Sequence, residues 1–178
     1  MDDHLVVPGS PSVRHGVNCR ASRDGSWILQ TELTGLTEHL VMSATNNKDL
    51  IRRWIAFANK GFPGNFDLFI AADYVGHLGT TIMDRVELER LERAFIIAFP
   101  DTQHSIDDLF AEDDRVALRT TARATHRAHF HGIDRTDRAI EFTALVIYRV
   151  CNEKIVESWG EIDFPRLMRT LRSDTAGQ

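Results

Sequence analysis

Cysteine is scarce in this chain of 178 residues. Cys19 and Cys151 stand far apart and form no C-x-x-C pair, so neither a zinc ribbon nor a dense disulfide scaffold can be read. Long apolar runs are missing as well: none approaches the roughly 18 residues of a membrane-spanning helix. The opening MDDHLVVPGS lacks a basic segment followed by an apolar one, and a cytoplasmic location is the expectation. No block of Lys or Arg occurs and the formal net charge is -5, which argues against nucleic acid or an anionic membrane as a partner. What is present is ordinary globular material, 43% hydrophobic and long enough for one domain with a sizeable core. A small molecule is the expected ligand.

Residues 1–43 carry Pro8, Gly9, Pro11, Gly16 and Gly25 with interspersed Ser and keep no steady period, which predicts an irregular extension before a domain over 44–178. Within it, a short strand or helical turn is expected in the stretch 27–41. After Asn46 or Asn47 as N-cap, Leu50, Ile51, Trp54, Ile55 and Ala58 recur at helical spacing up to Gly61. FDLFIAADYVGH predicts a short second helix ending near Asp73, then an extended piece. Asp84 and Glu87 form a capping-box start for a third helix, with Val86, Leu88, Leu91, Phe95 and Phe99 as its apolar stripe and Pro100 as its stop. Beyond it, segments 105–111, 115–130, 139–150 and 154–162 are rich in Val, Ile, Thr, Ala and Phe and are separated by polar turns, as in an antiparallel meander. Asp163 followed by Phe-Pro predicts a closing helix. Helices first and strands second give an α+β domain whose bent sheet wraps the helices.

Three pieces carry a resemblance: AADYVGHLG at 71–79, the long stretch from AFPDTQHS to THRAHFHGI at 98–133, and YRVCNEKIVESWGEID at 148–163. In this order they resemble the SnoaL-like polyketide cyclase family, over about Asn47 to Arg172. The resemblance implies an α+β cone of the NTF2-like type: N-terminal helices packed in a strongly bent antiparallel sheet, with a short C-terminal helix. It also implies pairing into a homodimer through one sheet face, and aldol-type ring closure by an acidic base and a histidine, without a metal or an organic cofactor. Aligned on Arg149 to Ile155, the cyclase acid falls on Gly160 and its histidine on Val146, neither of which can move a proton. A slip of one residue would bring Glu161 into the acid position.

Other groups must then carry any such chemistry. Along 115–130, His126 shares the parity of Leu118, Thr120, Ala122 and Ala124, which aims it inward with a lowered pKa. His129 and His131 take the opposite parity, and an H-x-H pair alone supplies half a metal site. His77 comes from the segment that closes one end of the cone in the family. Glu161 and Asp163 are the candidate bases near the last strand, Asp163 doubling as a helix N-cap. Tyr148 and Trp159 can offer ring and polar tip to a flat ligand, with Phe95 and Phe142 as apolar wall.

Three functions fit these residues. The first is a cofactor-independent enzyme of the cyclase or isomerase type, acting on an apolar oxygenated molecule such as a polyketide, with Glu161 or Asp163 as base and His126 or His77 as hydrogen-bond partner. The second is a non-catalytic ligand-binding or assembly domain, which the missing cyclase pair favours. The third, a metal-dependent oxygenase, rests on the histidine cluster.

Overall fold

A computed structural model describes residues 18–21, 27–30 and 44–173. The chain divides into two units, residues 1–37 and 38–178. In the first, β1 (Asn18–Ala21) and β2 (Trp27–Gln30) form an antiparallel ribbon that pairs Cys19 with Leu29 and Arg20 with Ile28. Of the short strand or helical turn expected in 27–41, residues 27–30 form a strand, and β1 is a second strand inside the stretch expected to be irregular; the remaining residues of 1–43 lie outside the described residues.

The second unit opens with α1 (Ala44–Ala58), whose apolar stripe Leu50, Ile51, Trp54, Ile55 and Ala58 is buried. Gly61 and Phe62 end it in the left-handed region, with φ +75° and +54°, and the Phe62 amide donates to Phe57 O at 3.1 Å. A left-handed phenylalanine is strained. It is held because its ring inserts between Trp54 and Phe66, at centroid distances of 5.4 and 5.0 Å.

The second helix expected from FDLFIAADYVGH is not formed. Only a 3-10 turn, Phe66–Leu68, precedes strand β3 (Ile70–Leu78). β3 pairs on one side with β4 (Thr81–Met83) and on the other with β8 (Lys154–Ile162), and a ladder of cross-strand bonds outweighs the weak helical preference of so short an apolar run. Helix α2 (Arg85–Ala98) starts with the expected capping box, Asp84 accepting from Glu87 N at 2.9 Å and Glu87 accepting from Asp84 N at 3.2 Å. It stops before Pro100. Strands β5 (Gln103–Glu112), β6 (Arg115–Thr125), β7 (Ala139–Cys151) and β8 then form the meander, and α3 (Phe164–Arg172) follows the Asp163 cap. β6 ends five residues before the predicted Phe130. Asp101 takes the amide and hydroxyl of Thr125, each at 2.7 Å, and Arg127 N donates to Ala98 O at 2.8 Å, so the chain leaves the sheet for the end of α2.

Six strands lie in the order β4-β3-β8-β7-β6-β5. The expected antiparallel sheet is therefore mixed, because β3 runs parallel to β8. Register shifts between Ile106 and Asp108, and between Arg149 and Val150, add bends of the kind that curl a sheet. Its inner face presents Val116, Leu118, Ala122, Ile140, Phe142 and Tyr148, all buried. α1 packs on β5 and β6, α2 on β3, and α3 on β7. No helix among the described residues is long and apolar enough to cross a membrane.

Candidate active site

Strand parity decides what reaches the interior. Successive side chains of β8 point to opposite faces, so Ser158, Gly160 and Ile162 face inward while Glu157, Trp159 and Glu161 face outward. In β3 the inward set is Tyr74, Gly76 and Leu78. These two strands, with Val146 and Tyr148 of β7, Trp54 of α1 and Met83 of β4, wall a cavity of about 100 Å³ that α2 closes with Leu88, Leu91 and Glu92. None of its lining residues is Lys or Arg.

Glu92 is the titratable group that stands out. It occupies the helical position between Leu88 and Phe95 on the apolar stripe of α2, makes no hydrogen bond or ion pair among the described residues, and has its pKa pushed up to about 7 by desolvation. Across the cavity the Tyr74 hydroxyl lies 2.6 Å from Ser158 Oγ. Desolvation raises the Tyr74 phenol to about 12 and lifts Tyr148 further still, so both remain protonated at neutral pH. The charge of Glu92 adds to both shifts, which places all three groups within electrostatic reach of one another. Gly76 makes the Tyr74 position attainable: a Cβ built there would stand 2.5 Å from the Tyr74 hydroxyl oxygen and 2.9 Å from Met83 Cγ.

The residues singled out in the sequence are dispersed. His126 is fully buried as its parity predicts, but in the second apolar cluster, with its ring centroid 5.2 Å from that of Phe99 and Nδ1 3.0 Å from Thr136 Oγ1. Its pKa is lowered by desolvation, and it does not line the cavity. His77 touches the cavity at its backbone; its ring lies on the outer face, stacked on Trp159 at 5.5 Å, with Nε2 3.1 Å from Glu157 Oε1. Glu161 is exposed on that outer face, and Asp163 caps α3 by accepting from Arg166 N at 3.1 Å. Tyr148 reaches the cavity, whereas Phe95 and Phe142 meet in the second cluster at 5.8 Å. His129 pairs with Asp134 at 3.0 Å and His131 packs against Phe130 and Phe164. Among the described residues no three His, Cys, Asp or Glu side chains converge as metal ligands.

Glu92, Tyr74 and Ser158 were not among the sequence candidates. The signal for Glu92 was present, since it follows Leu88 by four residues and precedes Phe95 by three, which puts an acid on the apolar stripe of a helix.

A family model described as SnoaL-like polyketide cyclase matches residues 48–171. AclR from Streptomyces galilaeus, described as a proposed hydroxylase, is 28% identical, covering 72% of this chain and 97% of its own, with a TM-score of 0.68. Wild-type IdmH from Streptomyces antibioticus, described as a proposed polyketide cyclase, is 31% identical, covering 71% and 99%, with a TM-score of 0.65. A SnoaL-like protein from Jannaschia, at 12% identity, 79% and 99% coverage and a TM-score of 0.68, supports the fold alone. A search of curated proteins gives no match.

The raised pKa of this half-buried carboxylate has a consequence for stability. Its folded pKa lies above its unfolded value of 4.5, so Glu92 costs nothing below the ordinary carboxylate range and destabilises the fold as pH rises toward 7. At about 1.4 kcal/mol per pKa unit, reduced for its partial exposure, the cost above neutral pH is roughly 2 to 3 kcal/mol. Glu92→Gln is expected to raise denaturant-unfolding stability by that amount at about pH 8 and to change it little at about pH 4. An equal effect at both pH values would show that the carboxylate is not desolvated.

Proposed function

Because the chain belongs to the SnoaL-like polyketide cyclase family, we propose that it is a cofactor-independent acid–base enzyme of the cyclase or isomerase type, acting on a neutral, largely apolar oxygenated molecule such as a polyketide. The observation that carries this is Glu92, an unpartnered carboxylate with a pKa near neutrality on the wall of an apolar cavity. A base poised near the working pH combines a large ionised fraction with enough basicity to remove a proton. The two positions where the family alignment places the cyclase pair, Val146 and Gly160, are cross-strand neighbours on the cavity wall. In this chain the proton-transfer group comes instead from α2.

The step balances without a cation. Ionised Glu92 takes a proton from the carbon next to a substrate carbonyl, the C–H electron pair moves into the new C=C bond, and the carbonyl oxygen becomes an enolate. One negative charge passes from Glu92 to that oxygen. The enolate carbon then attacks a second carbonyl to close a ring, its electron pair forming the new C–C bond while the attacked oxygen, now an alkoxide, takes the proton back from Glu92; in a conjugated substrate Glu92 can instead return the proton to a different carbon of the dienolate. A substrate already carrying a carboxylate or phosphate would place a second negative charge in a cavity with no Lys or Arg in its lining, so a neutral substrate fits best.

Exchange of the α-protons of β-tetralone in deuterium oxide, followed by proton NMR, tests the base without knowledge of the natural substrate. Glu92→Gln should lower the exchange rate by at least about a hundredfold. Glu161→Gln, on the outer face, should leave it unchanged. Exchange that survives loss of Glu92 and disappears with Glu161 would overturn the assignment.

We infer also that the outer sheet face pairs with a second copy of the chain. One register row crosses all six strands there, through Phe110, Ala117, Ile147, Trp159, His77 and Ile82. Phe110, Ile147 and Ile82 are 67%, 44% and 68% exposed, and Leu145 beside them 59%. The neighbouring row mixes Asp108, Arg119 and Glu161, so both signs are available for self-complementary contact. Light scattering should give twice the chain mass, falling to one chain for Phe110→Glu with Ile147→Glu. A monomeric natural protein would contradict the pairing.

A further inference from the structure

Two hydroxyl groups in hydrogen bond to each other commit one proton between them and keep a second. Tyr74 Oη and Ser158 Oγ lie 2.6 Å apart, either able to donate, and neither side chain makes another hydrogen bond among the described residues. Their pair therefore retains one uncommitted O–H, and both residues line the cavity that holds Glu92. A buried donor without an acceptor is costly, and a ligand oxygen in the cavity would satisfy it.

We propose that the Tyr74–Ser158 pair is the donor that holds the substrate's carbonyl oxygen and its enolate, and that Gly76 is the positioning residue that fixes this donor. It rests on Glu92 as the base. The geometry behind Gly76 is a close approach: Tyr74 folds across it to reach Ser158, with its Cε1 3.0 Å from where a Cβ would stand. Any side chain at position 76 displaces the hydroxyl at the tip of a movable ring, so the donor shifts while the strand remains. Met83 Cγ stands 2.9 Å from that Cβ position, so a side chain at position 76 would press on Met83 as well. The phenol's raised pKa suits a donor that must stay protonated beside an oxyanion.

Binding of para-nitrophenol, whose anion is coloured and carries an oxyanion like that of an enolate, separates the donor from the base. In Glu92→Gln protein the neutral amide stands for the protonated acid, so this variant should bind the anion at least about tenfold more tightly than the natural protein. Added to Glu92→Gln, Tyr74→Phe together with Ser158→Ala should weaken binding about ten- to a hundredfold, as loss of a hydrogen bond to a charged group does. Either change alone should cost only a few-fold, because the proton of the remaining hydroxyl is then free to donate. Gly76→Ala should weaken binding while the pair is present and add little once both hydroxyls are gone, since it acts through them. Undiminished binding by the Tyr74→Phe, Ser158→Ala double change in the Glu92→Gln protein overturns the donor and leaves the base standing. Equal binding by Glu92→Gln and natural protein, or none by either, removes the base reading and the proposal together. If Gly76→Ala fails to fold, the comparison of the double change with either single change still decides.

Discussion

Glu92 is half-buried on the wall of a cavity whose lining holds no Lys or Arg to answer its charge, and its pKa is pushed up to about 7. That constraint organises the rest of the cavity. In the proposed reaction the charge that leaves the carboxylate passes, without a cation, to hydroxyl donors, and Tyr74, Ser158 and Tyr148 line the same cavity. The same absence of compensation makes the folded protein less stable when Glu92 is ionised, so the feature that suits proton transfer opposes stability.

The sheet separates two kinds of chemistry by alternation. On β8, Ser158 and Gly160 look into the cavity, while Glu157 and Trp159 join His77 and Arg149 outside. There Arg149 lies 3.2 Å from Glu157 and over the Trp159 ring at 5.4 Å. The outer histidine and carboxylate are thus bound into an ion-pair and stacking network, and their polar groups are spent on one another. Inside, polar groups are few and one carboxylate is unspent. A sequence in which His77 and Glu157 stand near the same motif gives no sign of this division until the strand register is known.

Much of the fold was legible because its signals are local. The capping box at Asp84 and Glu87, the Asp163 cap with Pro165, and the alternation in β6 and β7 all rest on residues a few positions apart. β3 was misread because its identity depends on pairing with β8, some 80 residues away, while locally it is a short apolar run compatible with either period. β6 was read five residues too long because the bonds that end it come from Asp101 and Ala98. At the site, histidines and the family positions are the conspicuous features of the sequence, and Glu92 is neither. Glu92 was hidden by its surroundings in ELERLER, where acids and bases alternate like those of a solvated face; its place on the apolar stripe was the better guide.

Membership in the SnoaL-like family fixes a fold that accommodates several chemistries, as the cyclase and hydroxylase descriptions of IdmH and AclR illustrate. In the function proposed for this chain, the titratable group comes from α2, whereas the β7–β8 positions carry Val146 and Gly160. The most direct test is the titration of Glu92 itself, followed by carboxyl carbon NMR in protein labelled at glutamate and assigned with Glu92→Gln. A midpoint near 7 is predicted. A midpoint in the ordinary glutamate range would contradict the account.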